Sequence, residues 1–202
     1  MPMNKDREYR SSPLLSMAQE GEERSYIVEG YATTFEQPYV LVHFDGIDYM
    51  EVIDRHAFDE TDMSDVIMQY DHEGKVIARQ KNGSLTINTD DHGLHIRADL
   101  SGSTAAKEMY EEIRAGLVSE MSFAFSVEEE SYNEENHTRR ILKIRKLYDV
   151  SAVSIPANPA TAISVSTRSR LDGWIEAAKA EERRELEVRR LKLKIKIGGI
   201  TE

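Results

Sequence analysis

The 202-residue sequence predicts a mainly β chain with flanking helices, an α+β fold, on three observations. Alternating or β-branched apolar runs recur from Tyr26 to Ile155, turn dipeptides separate them, and helical patterns are few. The length allows one domain with a real core plus appendages. Tyr26–Phe35 (YIVEGYATTF) is rich in β-formers and follows the polar turn Glu20–Arg24. Val40–Ile53 holds two apolar runs around Asp45-Gly46, a two-residue hairpin signal, and Asp65–His72 (DVIMQYDH) is a further strand. Lys75–Arg79 and Ser84–Asn88 flank Asn82-Gly83, which reads as a second hairpin, and Leu94–Asp99 alternates after the turn Asp90–Gly93. Asp54–Asp62 suits a short helix. Ser103–Gly116 suits a better one, with Ser103 or Thr104 as N-cap, Ala106, Met109, Tyr110 and Ile113 at helical spacing, and Gly116 as the stop. Met121–Val127 returns to strand, residues 128–139 (EEESYNEENHTR) read as an acidic loop, and Ile141–Ile155 is strand up to Pro156-Ala157-Asn158-Pro159.

Three regions follow: an N-terminal strand or arm over 1–23, the β-rich domain over 24–167, and a mixed-charge appendage over 168–202. In the appendage Leu171, Trp174, Ile175 and Ala178 share a helical face, while Leu191–Ile197 (LKLKIKI) alternates with the period of a strand. Its structure is expected to depend on a partner or on self-association. The net charge is −11, but the appendage carries a local +3 and leaves −14 on the rest. An acidic body argues against an electrostatic nucleic-acid binder. The absence of cysteine excludes thiol chemistry, disulfides and cysteine-ligated metals. No apolar run approaches the roughly 20 residues that cross a bilayer, and the N-terminus lacks a signal-peptide pattern, so a soluble cytoplasmic protein is expected.

Candidate chemistry narrows quickly. Asp90, Asp91, His92 and His95 lie within six residues, but a turn followed by a strand points His92 and His95 to opposite sides, which favours solvent-facing side chains over a metal site. Adjacent Asp71 and His72 diverge for the same reason. Without cysteine, covalent catalysis needs a hydroxyl and a base. His72 ends an apolar strand just before Glu73-Gly74, as a surface residue or as that base. In Met121–Val127, Met121, Phe123, Phe125 and Val127 form a core face, and Ser122, Ala124 and Ser126 form a row of small side chains opposite. Such a row makes room for a packed helix or for an extended substrate. Ser119 belongs to the preceding turn. On the later strand Leu147, Asp149, Ser151, Val153 and Ile155 share a face by parity. Asp149 is there either an unpaired edge carboxylate or the partner of an imidazole.

The ordered set Val28–Phe35 (VEGYATTF), Ile53–Phe58 (IDRHAF), Gln69–His72 (QYDH), Ala78–Leu85 (ARQKNGSL), Asp90–Leu94 (DDHGL), Met121–Phe125 (MSFAF) and Asp149–Pro159 (DVSAVSIPANP) resembles the tailed-phage (caudovirus) prohead proteases, related in fold to the herpesvirus assembly protease. The resemblance spans about residues 24–165. Arg55–Phe58 (RHAF) stands where the family usually has PGAF. The likeness implies a herpesvirus-protease-like β-barrel core and a serine endopeptidase with His72 as base and Ser122 as nucleophile. In the herpesvirus relatives the third member is a second histidine; here the matching strand offers Asp149. Backbone N–H groups of Ala157 and Asn158 are the candidate oxyanion donors.

The resemblance further implies cleavage of the scaffolding region of the major capsid protein, and of the protease itself, during prohead maturation. The partners expected are that capsid protein and its scaffolding region, with a homo-oligomer allowed and neither nucleic acid nor membrane involved. No cofactor or metal is expected. The place of action would be the host cytoplasm inside the prohead, or the cytoplasm if a prophage encodes the chain. The alternative is a non-catalytic capsid-assembly or scaffolding module on the same fold.

Overall fold

The computed structural model describes residues 7–12, 15–17, 26–154 and 165–198. Among these the strands are β1 (Glu8–Ser12), β2 (Leu15–Met17), β3 (Ile27–Thr34), β4 (Tyr39–Phe44), β5 (Ile47–Ile53), β6 (Ile67–Tyr70), β7 (Glu73–Arg79), β8 (Leu85–Thr89), β9 (Gly93–Asp99), β10 (Glu120–Asn133) and β11 (Thr138–Val153). The helices are α1 (Thr104–Arg114) and α2 (Val165–Gly198). By its contacts the chain divides into two units, Met1–Ser164 and Val165–Glu202.

The larger sheet of the first unit runs β1-β10-β11-β5-β4, with β6 also on β11 and β7 on β6; the smaller runs β2-β3-β9-β8. All pairs are antiparallel except β11–β5 and β11–β6. With 16 residues, β11 takes its two parallel partners in succession: β5 along Thr138–Ile141, then β6 along Asp149–Ala152. The α+β class holds. The barrel core implied by the family resemblance is not confirmed, because among the described residues the sheets are not closed: β1 and β4 end one path, β2 and β8 the other.

One core joins the sheets. Val28, Ala32, Ile96 and Ala98 of the smaller sheet belong to the same buried cluster as Met121, Phe123, Phe125 and Ile141 of the larger. Each large apolar side chain so buried contributes about 1.5–3 kcal/mol. Phe123 and Phe125 stack at 4.7 Å between centroids. Helix α1 adds Ala106, Met109, Tyr110 and Ile113, the face its spacing predicts. Ser103 is its N-cap and accepts a bond from the Ala106 N–H at 3.1 Å, and Gly116, at φ 71°, lies two residues past its end.

The smaller sheet has one tight point. A Cβ on Gly93 would stand 2.0 Å from the Thr33 carbonyl oxygen, a backbone atom that cannot swing aside. Gly93→Ala is therefore expected to cost about 1–3 kcal/mol, read as a fall in the thermal midpoint with little change in far-UV dichroism. An unchanged midpoint would remove the role assigned to this contact.

Several local expectations need correction. Asp45 and Gly46, at φ 52° and 79°, do close the β4–β5 hairpin. Asn82-Gly83 does not close one: Gln80–Asn82 form a 3₁₀ turn, β7 pairs with β6, and β8 pairs with β9 in the other sheet. Asp54–Asp62 is a run of turns, bonded Ala57 N to Asp54 O, Asp59 N to His56 O and Thr61 N to Phe58 O. Residues 128–139 are not a long loop. β10 continues to Asn133 and β11 starts at Thr138, so the acidic stretch is the outer half of one hairpin.

In the second unit α2 includes Leu191–Ile197, where alternation suggested a strand. The Ala, Glu, Arg, Lys and Leu residues from Glu176 onward are strong helix formers. A period of two cannot place its apolar residues on one side of a helix, and Leu186, Val188, Leu191 and Leu193 are all about half exposed. Among the described residues no helix is long and apolar enough to cross a membrane.

Candidate active site

The base position starts as a turn. Tyr70 pairs with Glu73, which leaves Asp71 and His72 as a two-residue hairpin loop between β6 and β7. Both adopt left-handed backbone angles, φ 46° and 59°, as a primed hairpin turn requires. Such angles are uncommon outside glycine and are held by their surroundings. The clamp is Asp71: its carboxylate accepts from the Ser154 N–H and hydroxyl, both at 3.1 Å, and its own N–H donates to Ala152 O at 3.0 Å. Asp71 thus ties the turn to the end of β11 rather than facing Ser122, and the strand geometry expected for Asp71-His72 is replaced by this turn.

Ser122 lies in β10 between two other serines, Ser11 of β1 and Ser151 of β11, directly opposite on either side. The next rung on the same face is Tyr9–Ala124–Asp149. Phe123 and Phe125 point into the core, as parity predicts. Parity fails on β11. Ala124 opposes Asp149 but Phe125 opposes Leu147, so Tyr148 is an extra, bulged residue. Leu147 therefore faces the core opposite Phe125, while Asp149 and Ser151 face the Ser122 side. The expected sharing of one face by Leu147 and Asp149 is corrected: the bulge turns the carboxylate out of the core.

These elements bring His72, Ser122 and Asp149 together. The Ser122 hydroxyl donates to His72 Nε2 at 2.7 Å, and His72 Nδ1 donates to Asp149 Oδ1 in a short bond. Ser151 Oγ donates to the same Oδ1 at 2.8 Å. With Nδ1–H committed to the carboxylate, Nε2 keeps its lone pair for the serine proton. Ser122 is 0 % exposed and Asp149 2 %. Where the small-residue row allowed a helix or a substrate, it holds the His72 imidazole. The Tyr9 ring meets that imidazole edge-to-face, 4.6 Å between centroids, and Arg7 Nη1 lies 3.9 Å from Asp149 Oδ2.

The opposite face of β1 sits in a buried ion cluster. Arg10 bonds Glu8 and Glu51; Arg139 bonds Glu8, Glu51 and Glu130; and the Tyr39 hydroxyl donates to Glu51 in a short contact. Burial alone would raise the Glu51 carboxyl, but Arg10 and Arg139 outweigh it and hold it below the usual carboxylate range. Burial, helped by Glu51, pushes the Tyr39 phenol well up. Burial would lower the Arg139 guanidinium, yet Glu51 and Glu8 keep it above its ordinary value.

Ala157 and Asn158 lie outside the described residues. Ser119 is exposed between α1 and β10. Asp90 accepts from the Tyr31 hydroxyl at 2.7 Å and His92 and His95 pack against the Tyr31 ring, so these groups are engaged in the smaller sheet, away from Ser122. Sequence reasoning missed Arg7, Tyr9 and Ser151. The alternation of Glu8-Tyr-Arg-Ser-Ser12 is the signal that marks β1, but five residues alone do not reveal a partner. In a comparison with known families, the model described as caudovirus prohead serine protease matches residues 12–172. No curated protein and no solved structure matches the chain.

Proposed function

The chain belongs to the caudovirus prohead serine protease family, and from that membership we propose that it is a serine endopeptidase that cleaves the scaffolding region of the major capsid protein, and itself, as the prohead matures. The observation that carries this reading is the relay from Ser122 Oγ through His72 to Asp149, with 2.7 Å at its first step. His72 Nε2 takes the serine proton as Oγ bonds to the scissile carbonyl carbon. Asp149 holds the Nδ1–H tautomer and stabilises the imidazolium. The imidazolium then gives its proton to the leaving amine as the C–N bond breaks, and water, deprotonated by His72, releases the acyl group. Backbone N–H groups of Ala157 and Asn158 are the candidate donors for the oxyanion. The reaction needs no cofactor. Partners are the capsid protein and its scaffolding region, inside the prohead in the host cytoplasm.

Co-expression with the capsid protein tests the reading. Wild type is expected to yield the shortened capsid protein, and Ser122→Ala and His72→Gln the full-length one. Equal processing by all three would leave the non-catalytic assembly module as the explanation.

A further inference from the structure

We propose that Arg7 and Tyr9, from the N-terminal strand region, are positioning residues for the relay: Arg7 is the standing counter-ion of Asp149, and Tyr9 fixes the plane of the His72 ring. The inference rests on the protease reading for its purpose but not for its geometry.

The relay needs Asp149 ionised while His72 is neutral, before the Ser122 proton moves. Asp149 is 2 % exposed, and a buried carboxylate without a cation is costly. Among the described residues, Arg7 is the permanently charged side chain within ion-pair distance of it, with Nη1 3.9 Å from Oδ2. The two carboxylate oxygens are divided accordingly. Oδ1 receives His72 and Ser151, and Oδ2 faces Arg7. Arg7 is itself held, its guanidinium 3.9 Å above the ring of Tyr148. Tyr148 is the bulged residue that turns Asp149 toward the site, so one irregularity supplies both the carboxylate's direction and the platform for its counter-ion.

Tyr9 acts on the other partner. It stands opposite Ala124, whose methyl leaves the space over β10 open, and its ring crosses that space to meet the imidazole at an interplanar angle of 68°. His72 sits on a two-residue turn, not within a strand, so its ring orientation depends on what touches it. An edge-to-face contact on one side and hydrogen bonds at both nitrogens leave it one orientation.

Among the described residues, the ionisable groups around the dyad include Arg7 and Tyr9 beside β10, Tyr148 under Arg7, Asp71 in the same turn as His72 but bonded to Ser154, and Lys146, whose Nζ lies over the Tyr148 ring at 5.8 Å. Removing the Arg7 charge leaves the imidazolium as the main cation for Asp149. The His72 Nδ1–H then bonds a carboxylate whose charge is no longer shared with a guanidinium.

The test is NMR spectroscopy of the His72 ring at one fixed pH in the full-length protein, which needs neither substrate nor turnover. Arg7→Gln is expected to move the His72 Nδ1–H resonance, because the carboxylate that accepts this proton has lost the guanidinium beside its other oxygen. Arg7→Lys is expected to restore the resonance. Tyr9→Leu is expected to broaden or split the His72 ring signals through rotamer exchange, and Tyr9→Phe to leave them sharp. Thermal melts of each variant separate these effects from unfolding. An unmoved Nδ1–H resonance in Arg7→Gln, or a single sharp set of ring signals in folded Tyr9→Leu, overturns the inference. Processing by the Ser122→Ala variant bears on the protease reading alone, so the two failures are distinguishable.

Discussion

Asp149→Asn is expected to slow capsid-protein processing by about 10⁴-fold while leaving the fold in place. The change is isosteric, and an amide fits the same buried space between Ser151 and the His72 ring. Its effect comes through the tautomer. An amide that turns its NH2 toward the imidazole makes Nδ1 an acceptor and moves the ring proton to Nε2. That nitrogen then meets the Ser122 hydroxyl as a donor and cannot receive its proton. Time courses of processing, with a thermal melt to verify folding, provide the measurement. A variant with wild-type activity would take Asp149 out of the relay and reassign the third position.

Arg139→Met is the change with the largest expected cost in stability, about 3–5 kcal/mol, because it takes from the buried Glu8 and Glu51 one of the two arginines that bond them both. That is a large share of the stability of a typical domain. Urea unfolding at neutral pH would show it as a lower midpoint; a loss under about 1 kcal/mol would mean that the cluster relaxes around the missing charge. The pH dependence has a definite sign. Glu51 is held below its ordinary value of 4.5, so its contribution is complete above that pH and is lost as pH falls below it. Wild type should therefore lose stability steeply in acid. Arg139→Met, lacking part of what lowers Glu51, should start lower and fall less steeply over the same range.

Much of this was legible wherever the determinant was local. The Asp45-Gly46 turn, the Ser103 cap and the parity of Met121–Val127 follow from a few neighbouring residues, and the structure agrees with each. What could not be read depends on pairing at a distance. Asn82-Gly83 marks a turn correctly, since Gly83 has φ 79°, but a turn does not reveal that its two flanks enter different sheets. The glutamates after Val127 look like loop because they are solvated, yet an outer hairpin needs only one protected ladder. Parity placed Asp149 beside Leu147, and only the bulge at Tyr148 reverses it. The proposed site was legible to the extent that His72, Ser122 and Asp149 were singled out together. Arg7 and Tyr9 were not, because their meaning comes from a strand pairing that joins residues more than a hundred positions apart.

The buried ions on the far side of β1 also answer a question of alignment. A strand that slips by one residue beside β10 would turn Glu8 and Arg10 toward the His72 face, away from the buried Glu51 and Arg139 that they bond. A slip by two would keep every side chain on its proper face, and hydrophobic patterning offers no objection to it. Glu8, Arg10, Glu51 and Arg139 do object, since a two-residue slide of nearly 7 Å would pull Arg10 away from Glu51 and Glu8 away from Arg139. The charges act as a key that admits one setting of the strand. Through that setting, a cluster on one face of the sheet decides where Arg7 and Tyr9 stand on the other.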